Sequence, residues 1–164
     1  MYGDDRLLVH LCLLFNIFIK YSYLPQKFMS SVIVPVVKNK TGDLLDVNNY
    51  RAIAVSNAVS KLFESVLLEH VVTAADGDEF QFGFKSGHST SIGTSIMKKT
   101  VDYYTNRGSH VFCCFLDFGK AFHKVNYWKL FDKLQDDGIN SKIVRTLMFW
   151  YSHQQMCVQW HSMV

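Results

Sequence analysis

The sequence predicts a mixed α/β fold, because several segments carry apolar residues at helical spacing while others are β-branched or unbroken apolar runs. The chain has 164 residues, of which 49% are hydrophobic and 19% charged, as is typical of a globular domain with its own core. Its formal net charge of +3 permits a polyanionic partner without requiring one. The four cysteines form no CxxC pair and lie in apolar runs, which predicts buried, reduced thiols and no disulfide.

The chain begins with an apolar segment whose spacing predicts a helix that packs against the core. Residues 7–19 carry leucine and phenylalanine at helical spacing, and the segment is too short, and too interrupted by His10 and Asn16, for a membrane span or a secretion signal. A β-branched run over Ser31–Val37 then predicts a strand. Because Pro35 cannot donate to a ladder, we expect an edge strand.

A polar turn follows and leads into a second strand. Thr41–Asp43 is the predicted bend and Arg51–Val55 the predicted strand, so the two strands form a hairpin. Lys38 ends the first strand and Arg51 begins the second, with Lys40 nearby. An ammonium and a guanidinium across one hairpin suit a polyphosphate. The alternative is ordinary solvated charge at strand ends.

Two helices are predicted after the hairpin. Residues 56–57, a Ser-Asn pair, are candidate caps for the first helix, and an acidic linker over residues 74–79 ends it. Its apolar stripe comprises Val59, Leu62, Phe63, Val66 and Leu67. The segment Gln81–Thr90 mixes two glycines with polar and aromatic residues, and Ser89 or Thr90 caps the second helix.

An unbroken apolar run at Val111–Leu116 is typical of a strand covered on both faces, in the centre of a layered sheet. Asp117 follows it, where layered folds place their chemistry. A carboxylate fixed there would be a hard oxygen ligand for Mg²⁺, and an acid in a solvated turn is the alternative. Two helices beginning near Asn126 and Ser141, and a strand over Met156–Trp160, complete the predicted order.

One further spacing is typical of metal sites. His153, Cys157 and His161 recur every four residues, which suits zinc only if all three lie on one helix. Because part of this segment is predicted to be a strand, no zinc is expected. The sequence contains no P-loop, Rossmann glycine pattern or Ser/His/Asp elbow.

Three segments together carry a resemblance to a known family: VIVPVVKNKTGDLLDVNNYRAIAVSNAVSKLFESVL, QFGFKSGHST and FLDFGKAFHKVNYWKLFDKL. In this order and spacing the chain resembles the reverse transcriptases of non-LTR, LINE-type retrotransposons over nearly its whole length. The resemblance implies an RNA-directed DNA polymerase, a nucleotidyltransferase whose partners are an RNA template, a DNA primer and deoxynucleoside triphosphates. It also implies a location in the nucleus or cytoplasm, with no membrane partner.

The resemblance implies a partial right-hand polymerase fold. Residues from about 1 to 107 would form fingers with an N-terminal helix, and residues from about 108 to 164 would begin the palm. Asp117 would bind the catalytic magnesium ions, assisted by the backbone carbonyl of Phe118. The triphosphate would be clasped by Lys38, Lys40 and Arg51.

Two further groups of residues match family positions. Phe122 matches the bulky residue that abuts the sugar and excludes a 2′-hydroxyl. The residues that match a block near the template strand are Gln81, Phe82, Gly83, Phe84 and Lys85. The chain departs from the family pattern FLDxSKAFDxV at Gly119 and His123, and from YRPI at Ala52. These departures weaken the case for activity, although none removes a metal ligand that the family requires.

The sequence as given ends before the family's glycine-rich second palm motif and its Ala-Asp-Asp hairpin. We therefore expect a fragment without polymerase activity of its own. Two alternatives remain open: a non-catalytic nucleic-acid-binding module that keeps the basic fingers, and an inert pseudogene product. The oligomeric state is not predicted.

Overall fold

A computed structural model describes residues 4–72, 80–85, 87–119 and 121–160. The helices and strands are α1 (Asp5–Tyr21), β1 (Ser30–Val37), β2 (Tyr50–Ser56), α2 (Ala58–Val72), α3 (Thr90–Thr105), α4 (Tyr127–Asp136), α5 (Ser141–His153) and β3 (Gln155–Val158). Short 3₁₀ helices lie at Gln26–Phe28, Val47–Asn49 and Ala121–Lys124. The mixed α/β class is confirmed, and the order of these elements follows the predicted one except for the central strand.

The chain divides into two compact units. The first comprises residues 1–74 and 126–164, and the second comprises residues 75–125. The first unit contains α1, α2, α4, α5, β1, β2 and β3, whereas α3 belongs to the second. The boundary near residue 107 between fingers and palm stays a prediction.

An aromatic core holds the first unit together. Phe63 of α2 is fully buried, and its ring lies 4.9 Å from that of Phe15 and 5.8 Å from that of Trp150 between ring centroids. Phe18 also packs against Phe63, at 5.6 Å. Each such pair adds about 0.5–1.5 kcal/mol beyond the burial of its apolar area. The core thus joins α1, α2 and α5.

The predicted helical stripes are buried only in part. In α1, Phe15 and Phe18 are buried whereas Leu7 and Leu8 are more than half exposed. In α2, Phe63 and Leu67 are buried, and Val59 and Leu62 lie toward solvent. The helices therefore match the predicted segments, but fewer of their apolar side chains reach the core than the spacing indicates.

The sheet has three strands in the order β2-β1-β3. β1 pairs antiparallel with β2 from Ser31↔Ser56 to Val37↔Tyr50, and parallel with β3 from Ser30↔Gln155 to Ile33↔Val158. β1 is therefore central, and the predicted edge position is wrong. Pro35 is tolerated because the ladder with β3 extends only to Ile33, so the missing N–H falls past that pairing.

Local signals set the ends of several helices as predicted. The side-chain oxygen of Asn57 accepts a hydrogen bond from the N–H of Ser60 at 2.7 Å, and that of Asn126 accepts from Trp128 at 3.0 Å. Gly138 follows α4 with a φ of +77°, a left-handed conformation that glycine adopts without steric cost. The predicted linker over residues 74–79 lies outside the described residues.

The predicted central strand is absent. Residues 111–118 are described and belong to no strand, and Phe112 and Leu116 are 94% and 85% exposed. The prediction failed because an apolar run forms a strand only where neighbouring strands accept its backbone hydrogen bonds. All four cysteines are free and exposed, so their predicted burial is also wrong. No described helix is both long and apolar enough to cross a membrane.

Candidate functional site

The β1–β2 hairpin places two of the predicted cations on one face. Arg51 is paired directly with Val36, so both side chains project from the same face of the sheet. Lys38 lies two residues beyond Val36, and its N–H donates to the carbonyl of Asn49 at 2.7 Å, which continues the ladder by one step. Lys38 and Arg51 are thus diagonal neighbours across the hairpin, a position in which long side chains reach each other.

A network of asparagines orders the loop between these cations. The amide of Asn49 accepts from the N–H of Asn39 at 3.0 Å and donates to the carbonyls of Asn39 and Asp43, each at 3.0 Å. The hydroxyl of Tyr50 donates to the carbonyl of Leu44 at 2.9 Å. The loop therefore returns the chain to β2 through side-chain hydrogen bonds rather than through a two-residue turn.

Lys38, Lys40 and Arg51 are all exposed. The ammonium of Lys38 donates to the carbonyl of Asn48 at 2.8 Å, which fixes the side chain and leaves further donors for a ligand. Among the described residues, Arg51 makes no side-chain hydrogen bond and none of the three cations forms an ion pair. The acidic residues of the loop, Asp43 and Asp46, accept hydrogen bonds from backbone N–H groups instead.

Asp117 is an exposed carboxylate in a segment without regular structure. Phe118 beside it is 80% exposed, so neither the carboxylate nor the adjacent carbonyl is held at the tip of a buried strand. A carboxylate oxygen is a donor that Mg²⁺ prefers. However, no three His, Cys, Asp or Glu side chains cluster within the part of the chain that the structure describes. Asp117 fits as one ligand, and those residues alone do not make a complete magnesium site.

The template block and the predicted sugar-contact residue meet within the second unit. The rings of Phe84 and Phe122 lie 6.3 Å apart, edge to face, and both are largely exposed. Gln81 donates to the carbonyl of Gly83 at 3.1 Å, and Phe84 has a φ of +60°, which is rare for a large side chain. This local loop displays the Phe84 ring to solvent.

The remaining residues of the block are held locally. The ring of Phe82 lies 6.3 Å from that of His88, and a methyl group added at Gly93 of α3 would touch the Phe82 ring at 3.4 Å. Lys85 is partly buried. Phe82 therefore anchors the block to α3.

The predicted site residues are divided between the two units. Lys38, Lys40 and Arg51 lie in the first unit, and Asp117 lies in the second together with Phe122 and the template block. The approach of Asp117 to the hairpin cations stays a prediction.

The zinc candidates do not share one helix. His153 is the last residue of α5 and Cys157 lies in β3, while His161 falls outside the described residues. The ring of His153 stacks on Phe149 at 4.2 Å, and its Nδ1 lies 2.9 Å from the Phe149 carbonyl oxygen. The predicted strand at this end of the chain is confirmed over Gln155–Val158.

Sequence reasoning missed two features. The first is the role of Asn49, for which the pair Asn48-Asn49 beside a turn was the available signal. The second is the aromatic group formed by α4 and α5, where the rings of Tyr127 and Tyr151 lie 4.8 Å apart. Partial burial raises the pKa of Tyr151 above its usual value of 10.0, and the nearby Tyr127 and Glu64 raise it further.

Comparison with known proteins gives consistent matches. A family model described as "Reverse transcriptase (RNA-dependent DNA polymerase)" matches residues 37–163, well over half of the chain. An "RNA-directed DNA polymerase from mobile element jockey" of Drosophila funebris is 26% identical over 125 residues, covering 74% of this chain and 14% of that protein. The protein of the same name from Drosophila melanogaster is 28% identical over 127 residues, with the same shares covered. The chain thus spans a small part of the length of these relatives.

Proposed function

Since this chain belongs to the reverse transcriptase family, we propose that it forms the fingers and first palm part of a LINE-type RNA-directed DNA polymerase. The reaction is template-directed addition of deoxynucleotides to a primer, in which the primer 3′-hydroxyl attacks the α-phosphate of the incoming triphosphate. The observation that carries the proposal is the hairpin, whose register places Lys38 and Arg51 on one face at the ordered loop.

The hairpin is suited to holding a triphosphate. The guanidinium of Arg51 has no partner among the described side chains and offers a planar fork to phosphate oxygens. Lys38 adds an ammonium already oriented by Asn48, and Lys40 lies in the turn beyond it. Positive charge fixed before the reaction stabilises the negative charge that builds on the phosphates. These residues would bind and orient the nucleotide.

Asp117 would supply one carboxylate ligand to Mg²⁺, with the carbonyl of Phe118 beside it. When bound, the metal stabilises charge on the attacking and leaving oxygens. The exposure of Asp117 leaves the carboxylate accessible to an ion. Other carboxylates of the polymerase would complete the site.

Phe122 would pack against the sugar of the incoming nucleotide, and the block from Gln81 to Lys85 would contact the template strand. The exposed ring of Phe84, next to that of Phe122, supports this placement because aromatic faces stack on bases of any sequence. We further propose that fingers extend to about residue 107 and that the palm begins thereafter.

The proposal is tested by calorimetric titration of the chain with dTTP and Mg²⁺. Replacing Arg51 with alanine removes at least one hydrogen bond to a charged ligand, which is worth about 1.5–3 kcal/mol. We therefore expect affinity to fall roughly 10- to 100-fold, and Lys38→Ala to weaken binding in the same direction. Arg6→Ala is the matched control, since Arg6 is an exposed cation of α1 outside the hairpin.

Failure of the wild-type chain to bind dTTP would contradict the proposal. Equal affinities for Arg51→Ala and Arg6→Ala would contradict it as well. The inactivity of the isolated chain is a separate prediction, and primer extension on an RNA template tests it. Synthesis that requires Mg²⁺ and is abolished by Asp117→Asn would show that the chain is active alone.

A further inference from the structure

An aromatic cleft of about 480 Å³ opens between α4 and α5 in the first unit. Six of its lining residues define it here: Tyr127, Trp128, Phe131, Arg145, Phe149 and Tyr151. It shares no lining residue with the β1–β2 hairpin. Its volume falls within the range of about 300–1,000 Å³ found for small-ligand sites.

The aromatic cleft has a buried floor and exposed walls. Phe131 is 5% exposed and forms the floor, whereas Trp128 is 70% exposed. The Trp128 and Phe131 rings meet edge to face at 6.3 Å, and those of Phe131 and Tyr151 meet in the same way at 6.1 Å. Because Trp128 is largely exposed and has only Phe131 as a ring neighbour among the described residues, its indole is accessible to a flat ligand.

Arg145 supplies the one charge among the residues described as lining the aromatic cleft. Its Nε donates to the carbonyl of Ser141 at 3.3 Å, which holds the guanidinium beside α5. The two terminal amino groups of Arg145 make no hydrogen bond within the described residues. The cleft therefore combines open aromatic faces with one tethered, available cation.

We propose that the aromatic cleft binds a base of single-stranded nucleic acid, with Trp128 stacking on the base and Arg145 contacting an adjacent phosphate. A nucleotide presents an apolar face and a single negative charge, which complement these two groups. Stacking of bases on aromatic side chains together with arginine is a general mode of single-strand binding. An apolar peptide would use the rings but would leave the guanidinium unpaired. This site lies outside the proposed nucleotide hairpin.

The test compares two labelled strands of equal charge, a ten-residue oligothymidylate and an abasic strand of the same length, by fluorescence anisotropy at low salt. Stacking is worth about 1–3 kcal/mol per base, so the chain is expected to bind the thymidylate at least roughly fivefold more tightly. Trp128→Ala should reduce this preference, whereas Phe84→Ala, in the separate template block, should leave the contribution of Trp128 in place. Arg145→Ala should weaken the binding of both strands.

Leu8→Ala and Arg6→Ala serve as controls, because Leu8 is 59% exposed and both residues lie on α1, outside the aromatic cleft. Both should bind as the wild type does, and circular dichroism verifies that every variant is folded. Equal wild-type affinity for the two strands, or a preference that Trp128→Ala leaves unchanged, would overturn the proposal. Trp128→Ala should keep the wild-type affinity for dTTP, which separates this site from the hairpin.

Discussion

The packed centre of the first unit and residues 111–118 of the second are both rich in apolar side chains. They differ in how far those side chains are buried. Phe63 is fully buried among aromatic rings, whereas Phe112 is 94% exposed. The first region obtains its order from contacts between elements far apart in sequence. Apolar composition alone therefore does not determine burial, because burial also requires neighbouring elements that cover the side chain.

A second contrast concerns the candidate chemistry. The hairpin cations are positioned by a strand ladder and an asparagine network, and Asp117 lies in a segment without regular structure. A site performs well when its side chains are held in place by a rigid scaffold. The hairpin meets this requirement within its own unit.

The largest expected effect lies in the packed region. Phe63→Ala removes a ring that contacts Phe15, Phe18 and Trp150 and leaves a cavity, so we expect the free energy of unfolding to fall by about 3–5 kcal/mol. Urea denaturation followed by circular dichroism measures it. The exposed control Leu8→Ala should change stability by no more than about 0.5 kcal/mol. A similar loss of unfolding free energy in both variants would show that Phe63 contributes no more to stability than an exposed residue.

The hairpin loop should show a smaller effect. Asn49→Ala removes three hydrogen bonds that connect the loop, and we expect a loss of about 1–2 kcal/mol together with weaker dTTP binding, because the cations lose their fixed spacing. Leu45→Ala is the control, since Leu45 lies in the same loop and is 92% exposed. Unchanged dTTP affinity in Asn49→Ala would show that the network does not position the cations.

Because burial raises the pKa of Tyr151, we expect the stability of the packed first unit to fall at high pH. The folded chain retains the phenol proton to a higher pH than the unfolded chain, so this contribution to stability is complete below about pH 10.0 and is lost as the pH rises through the folded-state pKa. Tyr151→Phe should lose less stability than the wild type above pH 10.0. Parallel pH profiles of the two proteins in urea denaturation would contradict this.

The smallest effect is expected in residues 111–118. Because Phe112 is almost fully exposed, Phe112→Ala should change the free energy of unfolding by no more than about 0.5 kcal/mol. The same urea titration as for Phe63→Ala provides the comparison. A loss near 3 kcal/mol would instead support the covered central strand that the sequence predicted.

Local signals account for what the sequence predicted correctly. Asn57 and Asn126 cap helices by their own side chains, and Gly138 follows a helix in a conformation that suits glycine. The facing positions of Lys38 and Arg51 follow from the turn and the two-residue period of strands. Each of these features depends on residues close together in sequence.

Features that depend on distant residues were not predictable in the same way. The central position of β1 results from its pairing with β3, which no pattern around Pro35 indicates. Likewise, the exposure of residues 111–118 depends on which elements cover them. The aromatic cleft arises because α4 and α5 pack side by side. In the sequence alone, its aromatic residues have the spacing that is typical of ordinary core residues.

The similarity to the two jockey polymerases supports the non-LTR, LINE-type resemblance that the three motifs indicated. The matched region begins at residue 37, at the end of β1, and so includes both the hairpin loop and Asp117. The three motifs predicted the family correctly because their order along the chain is kept, although single positions such as Gly119 and Ala52 differ from the family pattern.

The parallel pairing of Ser30 with Gln155 has a consequence for how the protein is made. A ribosome releases β1 and β2 early, and these two strands can associate while the rest is still being synthesised. β3 emerges only after α4 and α5, so the side of β1 that pairs with β3 has no partner until those helices have been synthesised. Closing so long a loop slows the pairing of β1 with β3, and until then the nascent hairpin must avoid pairing with strands of other proteins.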